Sequence, residues 1–572
     1  MEDNMSNNQK KIKEKIDNYL DGDNTSGGYI SQQYDQKIKL RKNKIFNILL
    51  SKRKEIFHNN TSINFNDPRT ININELKCDG EIKKDVDNYI KTTFDIRKWF
   101  KYFFSSNKND IQVSLFLIQR FIILQLLEIK DKEQRRLSRN NTELIQKFCE
   151  NLLNDDIKII YNSCACLTNL TCFPKNIEQH IYREINLEKI IKFFNVVANN
   201  ISILGSETLL LFINISLNID AKVYLMKNSF FQNLSNFMNN VISNKCNIKN
   251  DKLELDTIKY CISIMSNLIS ICDFDDDYIN VFAPMIPTCK IITSKYYANV
   301  DNIIFDENDS KNLIEIWKYF SKERAKKKEF VSEIIKENFT KILVILYNKI
   351  KDSKIRILIL ELFHDYLSIN DDYDKILIND GIVKFFAKEI DRYQYSNVEL
   401  LNIIFSCCSN LASGQIGQSE ILFKSGVINK IIDITNFYIN DNLDKEIRNL
   451  LQNSITCLVN IVFSDIQELK VNLLKYNNCS IINIFCKALK NEIEPSNKNN
   501  LTIKIIFAIK ELNVASEELE PEMEKCYDLI LINNSLENIL NNYYESKNFN
   551  ENVKDIINEL IEFIKDKEKD LD

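Results

Sequence analysis

The chain has 572 residues and a formal net charge of −5, with only 9 Gly and 6 Pro. A chain of this length exceeds one ordinary globular core, so it forms several domains or one elongated repeat array. The scarcity of Gly and Pro argues against sandwiches and barrels, which need many tight turns, and favours helices. The acidic pI of about 5.7 argues against broad nucleic-acid binding, which uses a basic face.

Residues 1–60 contain a basic segment in this otherwise acidic chain. Eight bases and no acid occur between residues 36 and 54, and apolar residues recur among them near helical spacing. We expect a helix from about residue 33 to residue 57, and a linker over residues 61–85. An ordinary solvated amphipathic helix is the alternative. The eight bases are Lys37, Lys39, Arg41, Lys42, Lys44, Lys52, Arg53 and Lys54.

An internal repeat occupies residues 86–566. Gly381 and Gly426 occupy similar apolar windows 45 residues apart, and each allows a sharp turn between two helices. This spacing is typical of armadillo repeats, whose units of roughly 40–47 residues stack to bury one shared core. We predict an all-α fold, an armadillo-repeat right-handed superhelical solenoid of about ten units with an N-terminal basic helix. Residues 567–572 are expected to form a charged tail.

Five apolar segments of the repeat array end with an Asn in the same local pattern. An apolar residue or Cys lies two positions before each Asn, and Leu or Ile follows it. An amide can donate to and accept from the backbone of an extended peptide, so one Asn per repeat predicts a peptide-binding ladder. For any single Asn, the general abundance of Asn in this chain is the alternative explanation. The predicted ladder consists of Asn169, Asn214, Asn267, Asn410 and Asn460.

The basic segment followed by a repeat array resembles the importin alpha family. The resemblance implies a nuclear import adapter whose basic helix binds importin beta and whose Asn ladder holds a basic nuclear localisation peptide. It implies that Lys52, Arg53 and Lys54 occupy the adapter's own peptide site when importin beta is absent. A Lys-rich nuclear localisation signal is another interpretation of the same bases. The last repeat of the family binds an export receptor, which makes such a receptor a further candidate partner.

The chain departs from the family at the positions that grip cargo side chains. The family has a Trp four residues before each ladder Asn, and an acid that pairs with a cargo Lys stands where this chain has Asn218. Of the two Trp, Trp99 lies before the array proper, and Trp317 lies in a middle repeat whose alignment with the motif is left open. These departures favour an alternative function as an armadillo scaffold for a signalling or cytoskeletal partner, and a GTPase-binding regulator is a third. The residues at the Trp positions are Ala165, Leu210, Ser263, Ser406 and Thr456.

Motifs for catalysis, cofactors and metals are absent from the sequence. The 15 Cys lie mostly in apolar helical patterns without paired CxxC motifs, and the three His are isolated, so we expect small buried hydrophobes and no zinc site. No apolar run reaches the roughly 18 residues of a membrane span, and the N-terminus shows no secretory signal. We therefore expect a protein of the cytoplasm and nucleus that is not an enzyme, uses no cofactor and contacts neither membrane nor nucleic acid directly.

Overall fold

The computed structural model describes residue 77 and residues 97–128, 142–172, 182–197, 202–227, 230–243, 251–269, 285–297, 306–321, 339–368, 371–414, 417–440, 444–493, 500–545 and 549–571. Every regular element in these ranges is an α-helix, as the sequence predicts. The eight bases of the N-terminal segment and the linker bounds lie outside the described ranges, apart from residue 77. The described residues divide into two compact units, with the boundary between Cys289 and Lys290.

The first unit contains nine helices within its described residues. They are α1 (Arg97–Phe103), α2 (Lys108–Glu128), α3 (Thr142–Asn151), α4 (Ile157–Leu170), α5 (Leu187–Val197), α6 (Ser202–Ile215), α7 (Ile219–Lys227), α8 (Phe230–Ile242) and α9 (Asp251–Ile269). Helix α10 (Ile286–Tyr297) contains the boundary between the units.

The second unit continues, within its described residues, with fifteen helices. They are α11 (Glu307–Ser321), α12 (Phe339–Lys349), α13 (Ser353–Leu367), α14 (Asp371–Asn379), α15 (Ile382–Tyr393), α16 (Val398–Ala412), α17 (Gln418–Lys424), α18 (Val427–Tyr438), α19 (Lys445–Val462), α20 (Gln467–Lys475), α21 (Ser480–Lys490), α22 (Asn500–Ser516), α23 (Pro521–Asn533), α24 (Leu536–Glu545) and α25 (Glu551–Leu571). The last helix runs to Leu571, so residues 567–571, which the sequence suggested as a charged tail, are helical.

In each unit the longer helices pack side by side in sequence order. We call this series the stacked row: α2, α4, α6 and α9 in the first unit, and α11, α13, α16, α19, α22 and α25 in the second. In the second unit two further helices precede each of the last four members, and α15, α18 and α21 form a parallel series of contacts. These helices form a three-helix repeat, and each repeat buries its apolar face against the next repeat.

Local sequence signals set the starts of these helices. Asp156, Asp352, Asn397 and Asp444 precede stacked-row helices, and each side chain accepts a hydrogen bond from a backbone N–H of the first turn. These caps satisfy donors that a helix start leaves unpaired. At the junctions inside the repeats, Gly381 (φ 93°) and Gly426 (φ 78°) have left-handed backbones, as the turn prediction requires.

The core lies between the stacked row and the helices that precede it in each repeat. Phe194, Phe212 and Phe230 meet there with ring centroids 4.6–5.6 Å apart. Trp99 and Trp317 are also buried, and the Trp317 indole donates to Thr293 Oγ1 at 3.1 Å. Both Trp are therefore core residues.

Candidate peptide-binding strip

The structure places the five predicted ladder residues at equivalent positions near the ends of stacked-row helices. Each Asn lies in the last three residues of its helix. The sequence pattern therefore identified a true repeat position. The residues are Asn169 on α4, Asn214 on α6, Asn267 on α9, Asn410 on α16 and Asn460 on α19.

Three of the five amides donate to the helix of the preceding repeat. In each case the acceptor is the carbonyl that lies one residue before the Asn of that repeat. A net contribution of about 1 kcal/mol per hydrogen bond makes these contacts part of the packing between repeats. The three bonds run from Asn214 to the Thr168 carbonyl at 3.0 Å, from Asn267 to the Ile213 carbonyl at 3.3 Å, and from Asn460 to the Ser409 carbonyl at 3.1 Å.

In the first unit the ladder residues are closed off from solvent. Asn169, Asn214 and Asn267 are 1%, 3% and 2% exposed. Ala165 and Leu210, at two of the family's Trp positions, are buried as well. Peptide contact by these three Asn stays a prediction, and the amides of Asn214 and Asn267 bond within the protein in the described conformation.

Asn218, which stands where the family places an acid, has a local role. Its Oδ1 accepts from the backbone N–H of Ala221 at 3.0 Å, at the start of α7. Asn is a preferred N-cap residue because its side chain satisfies such an unpaired donor. This side chain therefore supplies no negative charge and is occupied in capping a helix.

In the second unit a half-buried row of polar side chains crosses two neighbouring helices. We call it the amide strip. Its members lie three or four residues apart, so they share one face of each helix, and α16 packs directly on α19. The strip consists of Asn402, Ser406 and Asn410 on α16 and Asn453, Thr456 and Asn460 on α19.

One member of the strip has an unused donor. Asn410 Nδ2 has no hydrogen-bond acceptor in the part of the chain that the structure describes. The preceding repeat carries Asp365 in the corresponding helix, and its Oδ2 accepts from Ser321 Oγ at 3.1 Å. Leaving a buried donor unpaired costs about 1–3 kcal/mol, so a ligand that supplies an acceptor gains part of this energy when the amide turns toward it.

Two further donors of the strip, on Asn453 and Thr456, bond within the protein. Asn453 Nδ2 donates to Asn402 Oδ1 at 2.8 Å, and Thr456 Oγ1 donates to the carbonyl of Gln452 at 2.6 Å. The sequence analysis missed Asn402 and Asn453. They lie eight and seven residues before Asn410 and Asn460, respectively, so two turns of helix place them on the same face. That spacing could have identified them.

The two edges of the strip differ in chemistry. On the α13 side, Glu361 pairs with Lys318 and the carboxylate of Asp365 lies 3.6 Å from the imidazole of His364. On the α22 side, Phe507 is half-buried and Val514 is 56% exposed, and Lys510, which lies between them on the same face, pairs with Glu559. Ion pairs therefore border the strip on both sides, and apolar side chains accompany them on the α22 side.

The described residues offer no competing chemical centre. No group of three or more His, Cys, Asp or Glu in these ranges could hold a metal ion. Burial raises the pKa of Cys289 and Cys486 to about 12, so neither thiol is poised as a nucleophile. No helix in these ranges has the length and apolar character needed to cross a membrane.

Comparisons with known proteins place the fold. No family model matches the sequence, and the search of curated proteins found no match. An engineered protein of known structure aligns with a TM-score of 0.54 at 13% identity, over 83% of this chain and 99% of its own. A structure concerning a phosphorylation switch in the interaction between cadherin and β-catenin aligns with a TM-score of 0.53 at 10% identity, over 85% of this chain and 94% of its own. A computationally designed armadillo repeat protein for modular peptide recognition aligns over 44% of this chain and 92% of its own, at 15% identity and a TM-score of 0.34.

These identities establish the fold and nothing finer. Together with the repeat anatomy of the described residues, the first two alignments show an all-α armadillo-repeat fold, so this part of the predicted fold class is confirmed. The predicted N-terminal basic helix lies outside the described residues. The resemblance to the importin alpha family remains an inference from the sequence.

Proposed function

We propose that this protein is a non-catalytic nuclear import adapter that binds an extended peptide along the amide strip and importin beta through its N-terminal basic segment. The amide strip carries the proposal, because it presents uncharged hydrogen-bonding groups on two adjacent repeats with one donor unused. The protein then moves between cytoplasm and nucleus, and an export receptor is a further partner. No cofactor is required.

An extended peptide has the right dimensions for this strip. Packed helices lie about 8–10 Å apart, and an extended chain advances about 3.3 Å per residue. Each repeat therefore meets every third peptide residue. The unused Nδ2 donor of Asn410 can bond to a peptide carbonyl without losing an internal bond. The Nδ2 donor of Asn460 must break its bond to the Ser409 carbonyl, or donate to that carbonyl and the peptide together.

Titration with a fluorescent peptide tests the strip. The full chain is titrated against a peptide of about five consecutive Lys and Arg residues, and anisotropy is read. Asn410→Ala should weaken binding about tenfold, the effect of roughly 1.4 kcal/mol, without lowering stability because this donor makes no internal bond. Asn483→Ala is the matched control, since Asn483 donates to Asn436 Oδ1 at 3.4 Å on α18, outside the stacked row. Equal effects of the two substitutions would refute the assignment.

Binding of importin beta tests the other half of the proposal. Substituting Lys52→Gln, Arg53→Gln and Lys54→Gln in the full chain should abolish an interaction that otherwise survives physiological salt. The control removes an equal charge elsewhere, with Lys326→Gln, Lys327→Gln and Lys328→Gln. Screening weakens purely electrostatic contacts as the Debye length falls to about 8 Å at physiological salt. If the unaltered chain no longer binds importin beta at physiological salt, the segment acts only through its charge, and it is not a specific importin-beta-binding site.

A second candidate is an armadillo scaffold for a different partner. The absence of aromatic side chains at the family's Trp positions favours it, because Lys and Arg stems then lack rings on which to stack. A neutral extended segment needs no such rings. A peptide in which Gln replaces every base distinguishes the two: tighter binding of the neutral peptide would support the scaffold, and tighter binding of the basic peptide would support the adapter.

A further inference from the structure

Cys479 occupies a backbone position that other repeats give to Gly. It is the N-cap of α21 and has a left-handed backbone at φ 60°. Gly381 and Gly426 hold the same junction in the two preceding repeats. A Cβ added at either Gly would meet no atom within 4 Å, so the positive φ alone explains the Gly there. A Cys at this junction carries a conformational cost that Gly avoids.

A second thiol from the next repeat faces this junction. Cys526 on α23 donates to the carbonyl of Asn478 at 3.9 Å, and Cys479 donates to the carbonyl of Met523 at 4.0 Å. Each sulfur therefore lies beside the backbone segment that carries the other Cys, so the two thiols are neighbours across the repeat junction. Cys479 is fully buried, whereas Cys526 is partly exposed, so solvent reaches one member of the pair.

The chain contains a useful comparison in Cys408 and Cys457. These two thiols also lie near each other, on adjacent stacked-row helices, but both are 0% exposed. Burial raises the pKa of both thiols, and no small oxidant can reach either sulfur. Both pairs of thiols are therefore close together, but a small oxidant can reach only the pair that contains the partly exposed Cys526.

We propose that Cys479 and Cys526 are a reversible oxidation site that closes to a disulfide by exchange with a low-molecular-weight disulfide such as oxidised glutathione. The Cys526 thiolate attacks one glutathione sulfur, forms a mixed disulfide and releases one glutathione thiolate. Cys479 then attacks the Cys526 sulfur, its proton passes to the departing second glutathione, and the protein disulfide forms. Two protein thiols are oxidised while one glutathione disulfide is reduced to two glutathione molecules.

The disulfide would join two consecutive repeats. It links the junction between α20 and α21 to α23, whose repeat ends the chain with α24 and α25. The second step is slow, because burial raises the pKa of Cys479 to about 12 and keeps its reactive thiolate scarce. The reaction therefore proceeds on the scale of minutes to hours, and faster as the pH rises.

Mass spectrometry of the full chain tests the proposal. The reduced protein is incubated with oxidised glutathione, the remaining thiols are alkylated, and the products are mapped by peptide. The expected product is a bond between the Cys479 and Cys526 peptides, while Cys408 and Cys457 remain reduced and unlinked. Reduction with dithiothreitol should restore both thiols.

Two variants separate the steps. Cys479→Gly should fold, because Gly suits the positive φ, and should stop at the mixed disulfide between Cys526 and glutathione. Cys526→Ser should acquire neither modification at Cys479. Circular dichroism verifies the fold of each, and Cys479→Ser replaces Cys479→Gly if the latter does not fold. A mixed disulfide that persists in the unaltered chain without closing, or a link through another Cys, would overturn the proposal.

Discussion

Asn214→Ala should destabilise the packing between α4 and α6 by about 2 kcal/mol. The Nδ2 group has two protons and three acceptors, the Thr168 carbonyl at 3.0 Å, Thr171 Oγ1 at 3.0 Å and Cys172 Sγ at 3.2 Å. At most two bonds form at once, and each contributes about 1 kcal/mol. The Thr168 carbonyl keeps its bond from Thr171 Oγ1 at 2.9 Å, so it is not left unpaired and no larger penalty applies.

Native-state hydrogen exchange measures this effect locally. A loss of about 2 kcal/mol raises exchange of the amides at the end of α4 roughly 30-fold, if they exchange through separation of the two helices. Asn410→Ala is the control, because its donor has no internal acceptor among the described residues; it should not raise exchange at the end of α16. Exchange unchanged in Asn214→Ala, or raised equally in both variants, would refute the view that the ladder holds the repeats together.

Three further predictions follow from single contacts. Gly426→Ala should lower the free energy of unfolding by about 1–2 kcal/mol, because φ is 78° and the added Cβ meets no other atom. Ser535→Gly, at φ 54°, should raise it by about 0.5 kcal/mol. Urea unfolding monitored by circular dichroism compares the two variants, and destabilisation of both would contradict the argument. Desolvation and the bond to Asp433 raise the pKa of Tyr476 from 10 to about 12, so the stability that this phenol contributes is complete below pH 10 and lost as pH rises to 12. Tyr476→Phe should flatten that part of the pH–stability curve, and an unchanged slope would show that the bond is not formed. Trp317 and the other Trp are at most 2% exposed, so the emission of the folded protein should be blue-shifted and poorly quenched by acrylamide; strong quenching would place one of them at the surface.

The sequence predicted the repeat and the turns between its helices, because both depend on local chemistry. Apolar spacing gives helices, and the junction Gly at 381 and 426 requires only a positive φ, so both could be read without tertiary information. The equivalence of the ladder Asn residues was also readable, since each lies at the same place near a helix end.

The hydrogen-bond acceptors of the ladder amides could not be predicted from the sequence. A pattern shows which helix face a residue occupies, but the partner of that face depends on how adjacent repeats pack. Asn214 and Asn410 fit the same motif, yet the Asn214 amide bonds to the preceding helix and the Asn410 amide does not. The junctions at Cys479 and Ser535 escaped notice for a related reason, since neither residue signals a positive φ.

The bonds between repeats have a polarity along the chain. In the three bonded pairs the later repeat brings the amide donor, and the earlier repeat supplies a backbone carbonyl together with a hydroxyl, from Thr171, Ser216 or Ser409. A duplicated repeat carrying its own Asn could therefore be accepted behind an existing one that keeps these helix-end acceptors. The ladder therefore tolerates growth by tandem duplication toward the C-terminal side. The bonded Asn residues follow the Asn of the preceding repeat by 45, 53 and 50 residues, so the connecting loops can vary in length while this contact is kept.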